Sequence, residues 1–371
     1  MALAVFNYFC GFNNAIMPQR NNIKSRNILM LAPTPFFSDR GCHIRILNSY
    51  ERLRKSSARI TLLTYPLGRN LQRVNTKRVA MLAGYKKLSP GFSFYKPILD
   101  LLMFAKAFGI MRREKINLIY AHLHEGIVIG IKLRFLFGTK LVYDAQGSLA
   151  GELSEQKTIK KNGVAHKVVF AIEKFLSKRP DEIIANSASM KKYLTEECGV
   201  KRPIQVITDD KIKIYSKKNT SREFTPNISL PKGKKIVVYA GGMDLYKGID
   251  YLINAIPLVN KNIHFLLIGY PFESAKKLAE KLNVQNRVTF TGRVNYEELG
   301  SYLHLGDIAI APKAGESMEG NGKLFAYKSA ELKTVCFDNK TNREILGKSG
   351  IYAKEKDYFD LANKINKEVG K

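Results

Sequence analysis

At 371 residues the chain is too long for one average domain and suits two. Its 45% hydrophobic and 25% charged residues exclude a disordered or fibrous polymer and match a globular protein with a sizeable core. The charge balance is unusual: 61 Lys and Arg against 32 Asp and Glu leave a net +29. Unless that only reflects a lysine-rich proteome, it draws the chain toward polyanions: nucleic acid, anionic lipid or phosphorylated substrates. Cys10, Cys42, Cys198 and Cys336 are scattered, with no CxxC pair and no histidine cluster, which argues against structural zinc or a disulfide framework and fits a reducing compartment.

Residues 1–26 open on an apolar run, Ala2 to Phe12, with no basic residue before it and no clear cleavage site after it. That is a poor secretory signal, so the segment reads as a flexible extension of a cytoplasmic protein. Asn27 to Pro33 is a short apolar run ending in a loop, the pattern of a buried parallel strand. The polar loop Thr34–Gly41 leads into an amphipathic helix marked by Ile44, Leu47, Tyr50 and Leu53. Arg59–Tyr65 is the second strand. Helical segments 97–113 and 126–137 lead to strands at 118–121 and 140–143, and strands 181–185 and 204–207 close this half. The run from Pro97 to Met111 comes nearest to a membrane span, but Asp100 and Lys106 interrupt it short of the roughly 18 apolar residues a bilayer needs.

Residues 209–234 are rich in Lys, Asn, Ser and Pro and read as a linker. The alternation then restarts: strands at 235–239, 264–268, 287–290, 307–310 and 334–337, with helices over 248–258, 273–282 and 296–304 and another after Gly322. Strands alternating with helices predict an α/β protein of two doubly wound, Rossmann-like domains, residues 27–208 and 235–371. Neither half carries GxGxxG or GxxxxGK(S/T), so dehydrogenase and P-loop chemistry have no motif support.

The chemistry sits in four loops at predicted strand ends. In Asp39-Arg-Gly-Cys-His-Ile-Arg45, Gly41 opens a helix whose unpaired N–H groups can face a phosphate, or forms an ordinary turn. In Ala121-His-Leu-His-Glu-Gly126, His122, His124 and Glu125 follow a strand that faces the ligand crevice of an open sheet. They can polarise a hydroxyl or be satisfied core groups, and no third ligand supports a metal. Gln146 is the other polar group expected to face that crevice. In Tyr239-Ala-Gly-Gly-Met-Asp-Leu-Tyr-Lys-Gly248, Gly241, Gly242 and Gly248 permit tight turning and Lys247 can pair with a diphosphate. In Ala311 to Lys323, Glu319 can accept hydrogen bonds from sugar hydroxyls and Lys323 can face phosphate.

Taken together, the chain resembles the retaining glycosyltransferases of family 4, over roughly residues 27–367. Val238 to Ala255 is similar to the family's v-y-x-G-R-l-x-x-x-K-G-x-d-x-L-i-x-A segment. Ile184–Ser187, Val206–Asp209, Val288–Arg293 and Ala309–Pro312 match further landmarks. The resemblance implies two facing domains of the GT-B type and a nucleoside-diphosphate sugar held mainly by the C-terminal domain, with no metal. The acceptor, a lipid or glycan, would lie on the N-terminal side. It implies catalytic roles for His124, Lys247 and Glu319. Donor contacts would come from Gly41, Gly241, Gly242, Arg293, Gly320, Asn321, Gly322, Lys323 and Leu324, and acceptor-side contacts from His122, Glu125 and Gln146. The chain departs from the family in three places. Gly242 stands where the family has Arg. The second of two glutamates spaced by seven residues falls on Tyr327 by counting, or on Ala326 by the flanking pattern, which moves the first to Met318. The chain also stops at Lys371, where a longer terminal helix is usual.

A helix predicted over 157–178 carries Lys157, Lys160, Lys161, Lys167, Lys174 and Lys178 beside Val168, Val169, Phe170, Ile172, Phe175 and Leu176. That pattern suits an anionic membrane surface, at the cytoplasmic face, or a solvated helix with a core side. A weakened GT-B protein acting as a scaffold is the alternative that Gly242 and Ala326 raise. No zinc finger, helix-turn-helix or basic-aromatic RNA-binding motif supports a nucleic-acid partner.

Overall fold

The computed structural model describes residues 27–56, 58–88, 93–209, 224–243, 247–314 and 322–370. In the first half seven strands form one parallel sheet: β1 (Asn27–Ala32), β2 (Arg59–Thr64), β3 (Thr76–Arg78), β4 (Leu118–His122), β5 (Lys140–Ala145), β6 (Glu182–Ala185) and β7 (Ile204–Val206), in the order β3-β2-β1-β4-β5-β6-β7. The connecting helices are α1 (Gly41–Arg54), α2 (Lys96–Arg113), α3 (Leu123–Phe137), α4 (Leu149–Glu155), α5 (Val164–Ser177) and α6 (Ala188–Glu196). Helices cover both faces, so the central strands are near-continuous apolar runs: Leu29, Met30, Leu31 and Ala32 of β1 are fully buried.

The second half repeats the plan with β8 (Lys235–Ala240), β9 (Ile263–Ile268), β10 (Val288–Gly292), β11 (Ile308–Ala311), β12 (Thr334–Phe337) and β13 (Gly350–Ala353), ordered β10-β9-β8-β11-β12-β13. Its helices are α7 (Ile249–Ala255), α8 (Glu273–Lys281), α9 (Leu299–Leu303), α10 (Gly322–Ser329), α11 (Lys340–Leu346) and α12 (Tyr358–Val369). The order reverses between β1 and β4 in one sheet and between β8 and β11 in the other, and such switch points open crevices at the carboxyl ends of strands.

Those ends face each other. Asp39, after β1, accepts from Arg69 at 2.8 Å, from Arg293 at 3.1 Å and from the Tyr296 N–H at 3.1 Å. Arg69, after β2, also pairs with Glu297 at 2.7 Å, and the Phe37 and Tyr296 rings meet with centroids 5.7 Å apart. Farther along, Glu344 of α11 accepts from the N–H groups of Ala188 and Ser189 at the start of α6.

Two expectations change. The helix predicted over 157–178 begins only at Val164, because Lys157 and Asn162 adopt left-handed φ of 57° and 64° and Gly163 precedes the helix. The three-residue edge strand β3, Thr-Lys-Arg, pairs with β2 despite its lack of apolar residues. Among the described residues, no helix is long and apolar enough to cross a membrane.

Candidate active site

On the C-terminal side, β8 ends in a loop that the fold presses flat. Gly241 takes φ of 140° and Gly248 φ of 80°. A Cβ on Gly248 would sit 1.9 Å from the Pro312 carbonyl oxygen, so only glycine lets the Lys247 loop lie against the end of β11. Lys247 is half-buried beside it. From α10, Lys323 brings its ammonium 3.9 Å from the Tyr239 ring centroid and over Gly241, while the Tyr239 hydroxyl donates to the Gly242 carbonyl at 2.5 Å. Gly322 opens α10, and among the described residues a Cβ there would meet nothing within 4 Å. A helix start with a cation beside it is an anion site in kind.

The Leu324 side chain is fully buried in the core, so what it can offer a ligand is the N–H of the first helical turn. Ala326 is 6% exposed and Tyr327 fully buried. The Tyr327 hydroxyl accepts from the Ala240 N–H at 2.8 Å and donates to the Ile310 carbonyl at 3.2 Å, so it is a core anchor. Arg293 is spent on Asp39 across the cleft. Glu319, Gly320 and Asn321 lie outside the described residues.

On the N-terminal side, Gly41 starts α1 behind Arg40, which makes no side-chain cap, and the space over Gly41 is open. Gly126 lets α3 approach β1: a Cβ there would lie 3.4 Å from the Leu31 carbonyl oxygen. His122 is fully buried; its Nδ1 is 3.1 Å from Gln146 Nε2 and 3.4 Å from Asp144. Burial pushes its pKa down to about 4, so the ring is neutral at pH 7, and it holds Gln146 in place. His124 differs: its side chain is 17% exposed and lies 3.7 Å from the buried Glu173 carboxylate. Burial disfavours its imidazolium, but Glu173 outweighs that and raises the pKa. Glu125 is paired with Lys96, which overcomes the cost of burial and holds the carboxyl below its usual range.

Beneath these loops lies a cluster the motifs did not announce. Arg45 of α1 donates to Asp144 from Nε and Nη2 at 2.9 and 2.7 Å and to the Ile207 carbonyl at 2.8 Å, with Asp209 at 3.4 Å. Ser49 donates to the other Asp144 oxygen at 3.1 Å. Nor did the cross-cleft group of Asp39, Arg69, Arg293 and Glu297 carry a sequence signal, since Asp39 and Arg293 stand 254 residues apart. An open cavity of about 470 Å³ lies against this group, bounded by Phe37, Asp39, Gly68 and Arg69 from one half and Arg293 and Asn295 from the other.

Residues 40–208 match the family model for Glycosyltransferase Family 4, and residues 234–369 match that for Glycosyl transferases group 1. An uncharacterized 41.2 kDa protein of the cps region of Klebsiella pneumoniae is 29% identical over 209 residues, 53% of this chain and 54% of that one. A GDP-mannose-dependent alpha-(1-6)-phosphatidylinositol monomannoside mannosyltransferase of Mycobacterium tuberculosis is 34% identical over 102 residues, 25% of this chain and 26% of that one. The chain thus spans about half the length, or less, of these curated relatives. Among solved structures, sucrose-phosphate synthase of Thermosynechococcus elongatus superposes with a TM-score of 0.74 at 19% identity, over 93% of this chain and 90% of the other. The Anabaena protein HepE, solved with UDP and glucose, gives 0.67 at 16% over the same shares. At those identities the likeness is one of fold. Because each half is matched by a glycosyltransferase model and the two sheets face each other as in these neighbours, the chain belongs to the group 1, family 4 glycosyltransferases of GT-B fold.

Proposed function

We propose that the chain is a retaining hexosyltransferase that moves a sugar from a UDP- or GDP-linked donor to a lipid or glycan acceptor, without a metal ion, at the cytoplasmic face of a membrane. In this reading residues 235–371 hold the donor, residues 27–208 hold the acceptor and residues 209–234 join them. One observation carries it: the helix start at Gly322, with Lys323 over Gly241, on one side of a cleft whose other side has the helix start at Gly41, where Arg40 makes no side-chain cap. Two such dipole ends suit the two charges of a diphosphate. The Anabaena neighbour solved with UDP and glucose favours a nucleoside-diphosphate donor.

The developing charge on the leaving diphosphate is what the site must stabilise. Lys247, Lys323 and the N–H groups at the α10 start serve that end. Retention requires the acceptor hydroxyl to attack from the face the diphosphate leaves, and a phosphate oxygen takes its proton. His124, steadied by Glu173, orients a sugar hydroxyl, with Gln146 beside it on the acceptor side; Glu319 is assigned the sugar hydroxyls on the donor side. A second reading, a weakened transferase that binds partners, is favoured by Gly242 in place of Arg and by the methyl of Ala326, packed in the core where the family has a carboxylate.

Thermal shift against UDP, GDP, ADP and their sugars, with and without Mg²⁺, separates the two. Selective stabilisation by one nucleoside diphosphate, unchanged by metal, is the expected result. No shift with any of them refutes the transferase reading in favour of the partner-binding one.

A further inference from the structure

Helix α5 is apolar on two sides: Phe170 and Leu176 pack against the core, and a second apolar set faces out. Its inward side carries Glu173 and Ser177, 1% and 2% exposed, while Val164, Val168, Ile172 and Phe175 stand 81%, 53%, 50% and 54% exposed. Glu173 accepts from the Ser148 hydroxyl at 3.1 Å and the Ala150 N–H at 3.3 Å and faces His124, which fixes the rotation of the helix and leaves the second apolar set outside. At spacings of four, four and three residues, the exposed side chains form one stripe about 80° wide and about 16 Å long.

Cations flank the stripe. Lys160, Lys161, Lys167, Lys178 and Arg179 are exposed, and the one acid between residues 156 and 180 is the buried Glu173. Helices α2, α3 and α5 pack side by side on one face of the first sheet. The outer surface of α2 and its lead-in adds Phe94, Ile98 and Leu101 at 83%, 51% and 67% exposure. Exposed apolar side chains grouped in this way mark an interaction site. A second copy of a chain carrying +29 would set two basic faces together, whereas an anionic bilayer complements both the charge and the stripe.

We propose that this face docks on an anionic membrane, α5 lying in the interface with its apolar stripe at the acyl boundary and its lysines among the headgroups. The contact gives the membrane part of the reading above its residues, and rests on that part alone, not on sugar transfer. It is peripheral in kind, since a helix with an apolar face and a basic flank lies on a bilayer rather than across it.

The test is co-sedimentation of the full chain with vesicles of phosphatidylcholine and of phosphatidylcholine mixed with phosphatidylglycerol. One variant combines Val168→Ser, Ile172→Ser and Phe175→Ser; a second combines Lys160→Glu, Lys161→Glu and Lys167→Glu. The unmodified chain should bind the anionic vesicles and not the neutral ones, and each variant should lose on the order of tenfold in partition or more, with native circular dichroism. Equal binding to both vesicles, no binding to either, or variants that bind like the unmodified chain would overturn the proposal. So would a serine variant that dissolves a dimer in sedimentation velocity while still binding vesicles. Nucleotide thermal shifts run on the same samples keep the two readings apart: lost vesicle binding with a retained shift removes the docking face alone, and the reverse removes the transferase alone.

Discussion

Replacing Arg45 by Met should cost this protein about 3–5 kcal/mol, the range for breaking a buried ion pair from one side. Asp144 is fully buried and Arg45 only 4% exposed. The change removes two charge-assisted donors from one Asp144 oxygen, leaving Ser49 at 3.1 Å on the other and the Tyr120 hydroxyl at 3.5 Å. At about 1.5–3 kcal/mol for each such bond, the two lost contacts give about 3–6 kcal/mol, an overlapping range by a second route. Removing both charges, Arg45→Met with Asp144→Leu, should be less harmful than Arg45→Met alone, because no stranded carboxylate remains, and the coupling should exceed about 2 kcal/mol. Urea unfolding at pH 7 measures both of these and Asp144→Leu alone. The pH dependence adds a check. Burial works against the Asp144 carboxylate, but Arg45 more than offsets it and holds the pKa below its usual range. Wild-type stability from this group is therefore present above the unfolded value near 4 and lost as pH falls through the lower folded value. Without Arg45 the folded carboxyl protonates at higher pH, so the gap between variant and wild type should narrow as pH drops from 7. Additive single effects, or a cost under about 1 kcal/mol, would refute the account.

Asp39→Asn keeps a residue type that tolerates the left-handed φ of 57° and removes only the charge that Arg69 and Arg293 share. Those partners are 36% and 42% exposed, so each pair is worth about 0.5–1 kcal/mol after screening; small-angle scattering should record a larger radius of gyration, and an unchanged one would refute a role in holding the halves together. Gly248→Ala combines a left-handed φ with a Cβ 1.9 Å from backbone and should cost about 2–4 kcal/mol in urea unfolding; a loss under about 1 kcal/mol would mean the loop moves freely. His122, neutral with a pKa of about 4, takes up its proton on unfolding at higher pH than when folded, so the stability it lends is lost as pH falls from about 6.5 toward 4. His122→Gln should flatten that acid limb by about 2 kcal/mol between pH 7 and pH 4.5, and an unchanged limb would place the acid sensitivity elsewhere.

The central strands were legible because parallel strands covered on both faces are written as short apolar runs, as in Ile28 to Ala32. The edge strand β3 was not, since Thr76, Lys77 and Arg78 are half-buried and carry no period. For α5 the apolar period was visible, but not its direction: that depends on Glu173 finding Ser148 and His124 across the fold. The glycine loops could be named from their residue types, and Gly248 meets Pro312 as such a loop requires. The pairing of Asp39 with Arg293 could not be named, because charges hundreds of positions apart leave no local pattern. The helix after Gly322 could be named, but not that it turns the Leu324 side chain into the core.

Tyr327 has a consequence for how the second sheet can open. The ladder between β8 and β11 pairs Val237 with Ile308 and Val238 with Ala309 and goes no further. Beyond it the phenol occupies the next rung, taking the Ala240 N–H and supplying the Ile310 carbonyl. The strands can therefore part toward the cleft with the Ala240 N–H and the Ile310 carbonyl still paired. A side chain thus serves as the keystone of the split, and the crevice floor is finished before any ligand arrives.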